Sequence, residues 1–330
     1  MTSFAISDSE LDDIKDQVVL ITGTRTSKTR SSTVLITYPG ASSGIGLATL
    51  RRVIKHGGKV FACDLNPLPE PEASSIPFMK VDVASWKEQL ELFKAAQKQY
   101  GKIDHVFANA GIVPSMTLLE DDVDDNGDLL PPKKDTIDVN LIGCLYTVKL
   151  AIHYLKKNPN GGSIVMTASG SSFSRFPGAD YSTSPTLPSL FPSNTIQAIC
   201  KHAVLGILRA LYTPLYSNLP IRINAVAPSW TNTPLMTREV VAALGEGNCQ
   251  SADVVARSVV LLMGDGKRHG EMVYSERGNY TEMENGDKGF HALVKGMFGV
   301  GLGEERVEVK SYKKLSGVLV EKERKGKEQV

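Results

Sequence analysis

Short apolar runs rich in β-branched residues recur along this chain, each separated from the next by a longer segment whose apolar residues return every three or four positions. Parallel strands are buried on both faces and need a long crossover to reach their neighbour. The alternation therefore predicts an α/β fold, a doubly wound parallel sheet covered by helices on both sides. Strands are expected over 18–22 (VVLIT), 59–63, 78–81, 103–108, 163–167, 221–226 and 271–274. A helix should run from Gly44 to about His56, where Gly57 and Gly58 end it. After Asn140, the residues Leu141, Cys144, Leu145, Val148, Ile152 and Leu155 share one expected buried helix face, and Val204, Ile207, Leu208 and Leu211 mark another.

Three stretches break the rhythm. Residues 24–39 (TRTSKTRSSTVLITYP) are rich in Ser, Thr and Arg, and within them Val34-Leu35-Ile36-Thr37 nearly copies Val19-Leu20-Ile21-Thr22, so either copy could pair as the first strand. Residues 185–200 carry Pro185, Pro188 and Pro192, which forbid a continuous helix from Tyr181 onward. From about Asn285 the chain reads as a charged, mobile extension ending in LVEKERKGKEQV. The expected organisation is a single domain over 1–284 with insertions near 23–40 and 184–200, followed by an extension over 285–330.

Thirty-seven basic and 36 acidic residues leave a formal net charge of +1, which argues against a nucleic-acid partner. The first twenty residues lack the basic start and apolar run of a secretory signal, and no apolar stretch is long enough to span a bilayer. Cys63, Cys144, Cys200 and Cys249 form no CxxC pair, so neither a zinc site nor a disulfide framework is expected. These features suit a cytoplasmic protein without a metal and without a membrane partner.

The chemistry starts at Ala41-Ser42-Ser43-Gly44-Ile45-Gly46, a glycine-rich turn opening a helix. Such a turn lets the backbone approach a pyrophosphate, and the helix N-terminus offers it free N–H groups. Asp64 ends the second strand, 18 residues after Gly46, where a carboxylate can bind the two hydroxyls of an adenosine ribose and repel a 2′-phosphate. This favours NAD over NADP, with NADP as the alternative; a turn cap before Asn66-Pro67 is the plainer role. Asp82 and Val83 follow the third strand, where they could meet the adenine ring.

Together with Asn109-Ala110-Gly111, Asn140 in a DVN triplet, Ser169, Tyr181, Lys201 in KHAVLG and the run Asn224 to Pro234, these motifs make the chain resemble a short-chain dehydrogenase/reductase from about Asp16 to Glu284. The resemblance implies a Rossmann-type three-layer sandwich and a role for each residue. Gly23, Ser43, Gly44, Ile45, Gly46, Asp64, Asp82, Val83, Asn109, Tyr181, Lys201 and Thr233 would bind the cofactor, Thr233 through the nicotinamide carboxamide. Tyr181 would exchange a proton with the substrate while a hydride moves to or from the nicotinamide. A tyrosine titrates near ~10, so it needs a cation beside it, and Lys201 would supply one. Ser169 would hydrogen-bond the substrate oxygen, with Ser171 and Ser172 as alternatives, and Asn140 would hold a water linking Lys201 to solvent. Ser229 stands where the family usually has Gly.

The spacing departs from the family twice. Gly44 follows Gly23 by 21 positions where TGxxxGxG allows four, an excess of 17, and Lys201 follows Tyr181 by 20 where YxxxK allows four, an excess of 16. Four positions is about one helical turn, which brings the two side chains to one face. Excising 17 residues near Gly23 and 16 before Lys201 restores both motifs in frame, as translated short introns or gene-model errors would allow; two real surface loops are the other reading.

The acidic run Glu120-Asp121-Asp122-Val123-Asp124-Asp125 reads as a solvated loop. Trp230, Leu235 and Met236 suggest an apolar lid, hence a hydrophobic alcohol or ketone as the small-molecule substrate. The resemblance further implies a homodimer or homotetramer built on the helices after Asn140 and Lys201.

Overall fold

A computed structural model describes residues 2–23, 40–113, 118, 121–174, 195–236 and 238–297. The strands are β1 (Thr2–Phe4), β2 (Val18–Ile21), β3 (Lys59–Asp64), β4 (Phe78–Lys80), β5 (His105–Ala108), β6 (Gly162–Thr167), β7 (Ile221–Pro228), β8 (Thr231–Asn232), β9 (Gln250–Ser251), β10 (Met272–Glu276) and β11 (Asn279–Glu282). The helices are α1 (Gly44–Lys55), α2 (Trp86–Tyr100), α3 (Asp135–Ile137), α4 (Cys144–Leu155), α5 (Thr195–Asn218), α6 (Arg238–Leu244), α7 (Ala252–Gly264) and α8 (Phe290–Met297).

Nine strands form one sheet in the order β1-β11-β10-β7-β6-β5-β2-β3-β4, and every pairing from β10 to β4 is parallel. The doubly wound parallel sheet read from the sequence is therefore the fold. The chain builds β2, β3 and β4 outward on one side, then returns to place β5 on the other side of β2. The order of the strands therefore reverses between β2 and β5, the place where doubly wound sheets bind their ligands at the strands' C-terminal ends.

Of the two VLIT copies, the first is the strand: Val19 pairs with Val60 on one side and His105 on the other. The second copy, at 34–37, lies outside the described residues. Residues 18–21 are wholly buried, as a central parallel strand requires. One layer of the core joins α1 and α7 to the sheet through Leu50, Val53, Val255, Val259 and Leu262. Arg222, buried in β7, donates to the carbonyls of Leu262, Met263 and Arg268, so it pins the C-terminal end of α7 to the sheet.

Two helix expectations need correction. The buried side of α4 is Cys144, Thr147, Val148, Leu150, Ala151, Tyr154 and Leu155, while Leu145 is exposed. The residues preceding α4, Asp138–Gly143, wind as a π-helix, and its extra residue per turn rotates the face that a constant 3.6-residue period had assigned. The second correction concerns 185–200, treated as foreign to the fold up to Lys201. Its last six residues, 195–200, are the start of α5, and Ile196 and Cys200 are buried.

By compactness, the described residues of Ser3–Thr281 form one unit, and those from Glu282 to Met297 belong to a second. Within the second, α8 follows a turn in which the Glu282 carboxylate accepts from the amides of Glu284 and Asn285. Among the described residues no helix is long and apolar enough to cross a membrane, and no cluster of three or more His, Cys, Asp or Glu could hold a metal.

Candidate active site

Parallel strands deliver their C-terminal ends to one edge of the sheet, and the described candidate residues lie just past those ends or on helices packed there. Gly23 follows β2, Asp64 ends β3, Asp82 and Val83 follow β4, Asn109 follows β5, Ser169 follows β6, and Thr233 follows β8, the short strand after β7.

Ser43 is the N-cap of α1, and Gly44 opens the helix at φ +53°, a conformation that favours glycine. The amides of Gly44, Ile45 and Gly46 have no partner inside the helix, and its first turn carries no acidic residue to compete for them. A Cβ on Gly46 would collide with the carbonyl of Gly40 and lie 2.8 Å from Asn109 Nδ2, so only glycine fits. A close-packed glycine turn feeding an open helix N-terminus suits the pyrophosphate of a dinucleotide.

Asp64 reaches this turn but is buried within it. Its Oδ2 accepts from Ser42 N at 3.1 Å and Ser42 Oγ at 2.6 Å, and its Oδ1 accepts from Asn66 N at 3.1 Å. Burial pushes its carboxyl above the usual range despite those bonds. Ser42 thus holds one oxygen of the Asp64 carboxylate and Asn66 the other. Asp82 accepts from the amide of Ala84 and so closes its own turn, while Val83 packs against Gly143 and within a small cluster with Ile112 and Val139. Asn109 receives a bond from Thr167 Oγ1 and gives its amide hydrogen to Thr22 Oγ1, tying β6, β5 and β2 together beneath Gly46. Thr233 is buried after β8, and its carbonyl accepts from Met236 N.

Asn140, in the π-helical turn, grips both backbone groups of Ile112: its Oδ1 accepts at 2.7 Å and its Nδ2 donates at 2.8 Å. Lys201, on α5, meets it across Gly111, where an added Cβ would lie 3.6 Å from Asn140 Oδ1 and 3.9 Å from Lys201 Nζ. The Lys201 ammonium donates to the carbonyl of Thr167 at 2.5 Å. Burial lowers its pKa to about 8.

Ser169 caps a short 3-10 turn, Gly170–Ser172, and its Oγ accepts from Ser171 N. Ser172 is buried and donates to the carbonyl of Lys201 at 2.7 Å, so it serves the scaffold; Ser169 and Ser171 face a cavity of about 280 Å³. Its walls include Phe173, Trp230 and Tyr274, the first and last edge to face at 5.6 Å. Leu235 packs instead on the Val83 cluster. Ser229 donates its amide hydrogen to Ser275 and has no left-handed backbone, so a side chain is accommodated where glycine is usual. Tyr181 lies outside the described residues. The structure thus brings together Asn140, Lys201 and the loop carrying Ser169.

Gln197, Tyr274 and Glu276 also line the cavity and escaped the sequence reading. Counting back four from Lys201 along a helix would have found Gln197; the proximity of Tyr274 and Glu276 depends on strand order and left no local signal.

The sequence pattern of the short chain dehydrogenases matches residues 32–186, beginning inside the first interruption and ending between Tyr181 and Lys201. A short-chain dehydrogenase/reductase, ascJ of Acremonium egyptiacum, is 39% identical over 289 residues, 86% of each chain. This chain belongs to the short-chain dehydrogenase/reductase family. Another member, prx4 of Penicillium rubens, is 32% identical over 79% of this chain and 69% of its own. The 3beta-hydroxysteroid dehydrogenase of Mediterraneibacter gnavus is 31% identical over 60% and 66%. In fold, the chain is similar to the aldohexose dehydrogenase of Thermoplasma acidophilum, with a TM-score of 0.60 and 22% identity over 81% of this chain and 95% of that one. Membership makes the protein a dehydrogenase or reductase acting on a small molecule, with NAD or NADP as the cofactor its fold takes.

Proposed function

We propose that this chain transfers a hydride between NAD(H) and an apolar secondary alcohol or ketone, with Tyr181 as proton donor and acceptor. The observation that carries the reading is the cavity against Ser169, whose lining sets the Ser169 and Ser171 hydroxyls beside the aromatic residues Phe173, Trp230 and Tyr274. Such a lining suits a hydrophobic molecule with one polar function. A relative named for a 3β-hydroxysteroid, itself an apolar secondary alcohol, points the same way.

When bound, the nicotinamide supplies or accepts the hydride. Ser169 hydrogen-bonds the substrate oxygen, and Tyr181 gives it a proton in reduction or removes one in oxidation. Lys201, cationic below about pH 8, favours the tyrosine's phenolate, and Asn140 orders the polar path behind it. Asp64 selects NAD over NADP once Ser42 yields its carboxylate to the ribose. Exposed Leu145, Tyr212 and Tyr216 on α4 and α5 support a homodimer or homotetramer through these helices, and the four free cysteines suit the cytoplasm.

The test is NADH oxidation with a panel of apolar ketones. Turnover by the full chain that falls about 100-fold or more in Tyr181→Phe, with NADH affinity kept, is expected. Unchanged turnover in that variant would remove Tyr181 from the role.

A further inference from the structure

We propose that Gln197 holds the substrate's oxygen, standing where a YxxxK helix carries its tyrosine. The inference rests on the dehydrogenase reading above and adds a substrate-binding residue to it.

Helix α5 begins at Thr195, so the four residues before Lys201 are already helical. Residues four apart on a helix share a face. Gln197 therefore lies one turn before Lys201 on the side that meets the sheet edge, and its half-buried side chain lines the cavity with Ser169. Its neighbours show that this register is fixed by packing: Ile196 and Cys200 are buried, and the Cys200 thiol points at the carbonyl of Thr136. Sliding α5 to bring another residue to this place would pull both from the core. Among the described residues none hydrogen-bonds the Gln197 carboxamide, which leaves its donors and acceptor for a ligand.

A carboxamide can donate a hydrogen bond to a carbonyl or accept one from a hydroxyl, but it exchanges no proton near neutral pH. Gln197 thus binds and orients oxygen, while the proton must come from a different group. The ligand it selects is an apolar ketone or secondary alcohol whose oxygen lies between residues 169 and 197.

The experiment uses the full chain and 2-decalone, an apolar bicyclic ketone, as probe. Calorimetry on the NADH-loaded protein should show about fivefold to tenfold weaker 2-decalone binding in Gln197→Leu, which keeps the bulk and removes the amide, with NADH affinity and melting temperature unchanged. Equal affinity in the two proteins overturns the proposal. If NADH does not bind, the dehydrogenase reading fails for the full chain, and the same comparison is made with 2-decalone alone. A second variant tests position: Gln197→Tyr in a Tyr181→Phe background should turn over 2-decalone. There the new phenol protonates the ketone oxygen while NADH delivers the hydride and becomes NAD⁺, and water reprotonates the phenolate. Absence of turnover in this folded double variant would show that residue 197 does not stand at the reacting oxygen.

Discussion

At the scale of single residues, burial sets the acid–base behaviour. His105 lies inside β5 with its Nδ1 on Ser163 Oγ and its Nε2 unpartnered, and burial lowers its pKa to about 3. The unfolded chain takes up this proton below about 6.5, while the folded chain resists until about 3. Stability from this residue is therefore complete above pH 6.5 and drains as pH falls toward 3, at up to roughly 1.4 kcal/mol per pH unit. Urea melts of His105→Gln from pH 7 to 4 should decline less steeply than those of the unsubstituted chain. Asp64 gives a second residue-scale expectation. Removing its carboxylate in Asp64→Ala should erase the preference for NADH over NADPH, read as the ratio of their dissociation constants; a ratio unmoved would leave the buried carboxylate a structural role only. Asp64's position at a strand end was legible from its distance to Gly46. Its burial under Ser42 was not, because that contact joins residues 22 apart through a loop.

Elements show where local periodicity suffices and where it fails. Strands β2 to β7 and β10 fall close to the expected runs, since a buried parallel strand must be apolar throughout. The π-helical turn before α4 was hidden: it carries Asn140, whose side chain reaches sideways to Ile112 through tertiary bonds with no spacing signature. Asn140→Ala strands both backbone groups of Ile112 in a buried place, at a cost of about 2–3 kcal/mol in chemical denaturation. Lys201, anchored separately to Thr167, should keep its depressed titration in that variant. Helix α5 matches the expected helix after Lys201 and extends beyond it at the start, because the prolines end at Pro192 and leave the six residues Thr195 to Cys200 free to wind.

For the whole molecule, the parallel sheet was implied by the alternation of strand and helix, and with it one edge to which the strands deliver their C-terminal ends; the order of the strands was not. What the alternation cannot carry is the fate of the two interruptions. The sheet accepts the first VLIT copy and α5 absorbs the end of the second interruption. Deleting Gly23 to Pro39 and Pro185 to Cys200 should therefore return a chain of the same fold, in which Gly40 takes over the turn and Tyr181 stands four residues before Lys201. Circular dichroism should be preserved, and turnover on apolar ketones should equal or exceed that of the full chain. Loss of cooperative unfolding would instead show that Ile196 and Cys200 are indispensable to the core.

The start of α5 has one more consequence. Because Lys201 is anchored by its own contacts, whichever codons immediately precede it choose its neighbour one turn back, tyrosine or glutamine, without moving the lysine. A message that kept those 48 nucleotides and one that dropped them would encode two proteins of one architecture, the first with a carboxamide one turn before the lysine and the second with a phenol there.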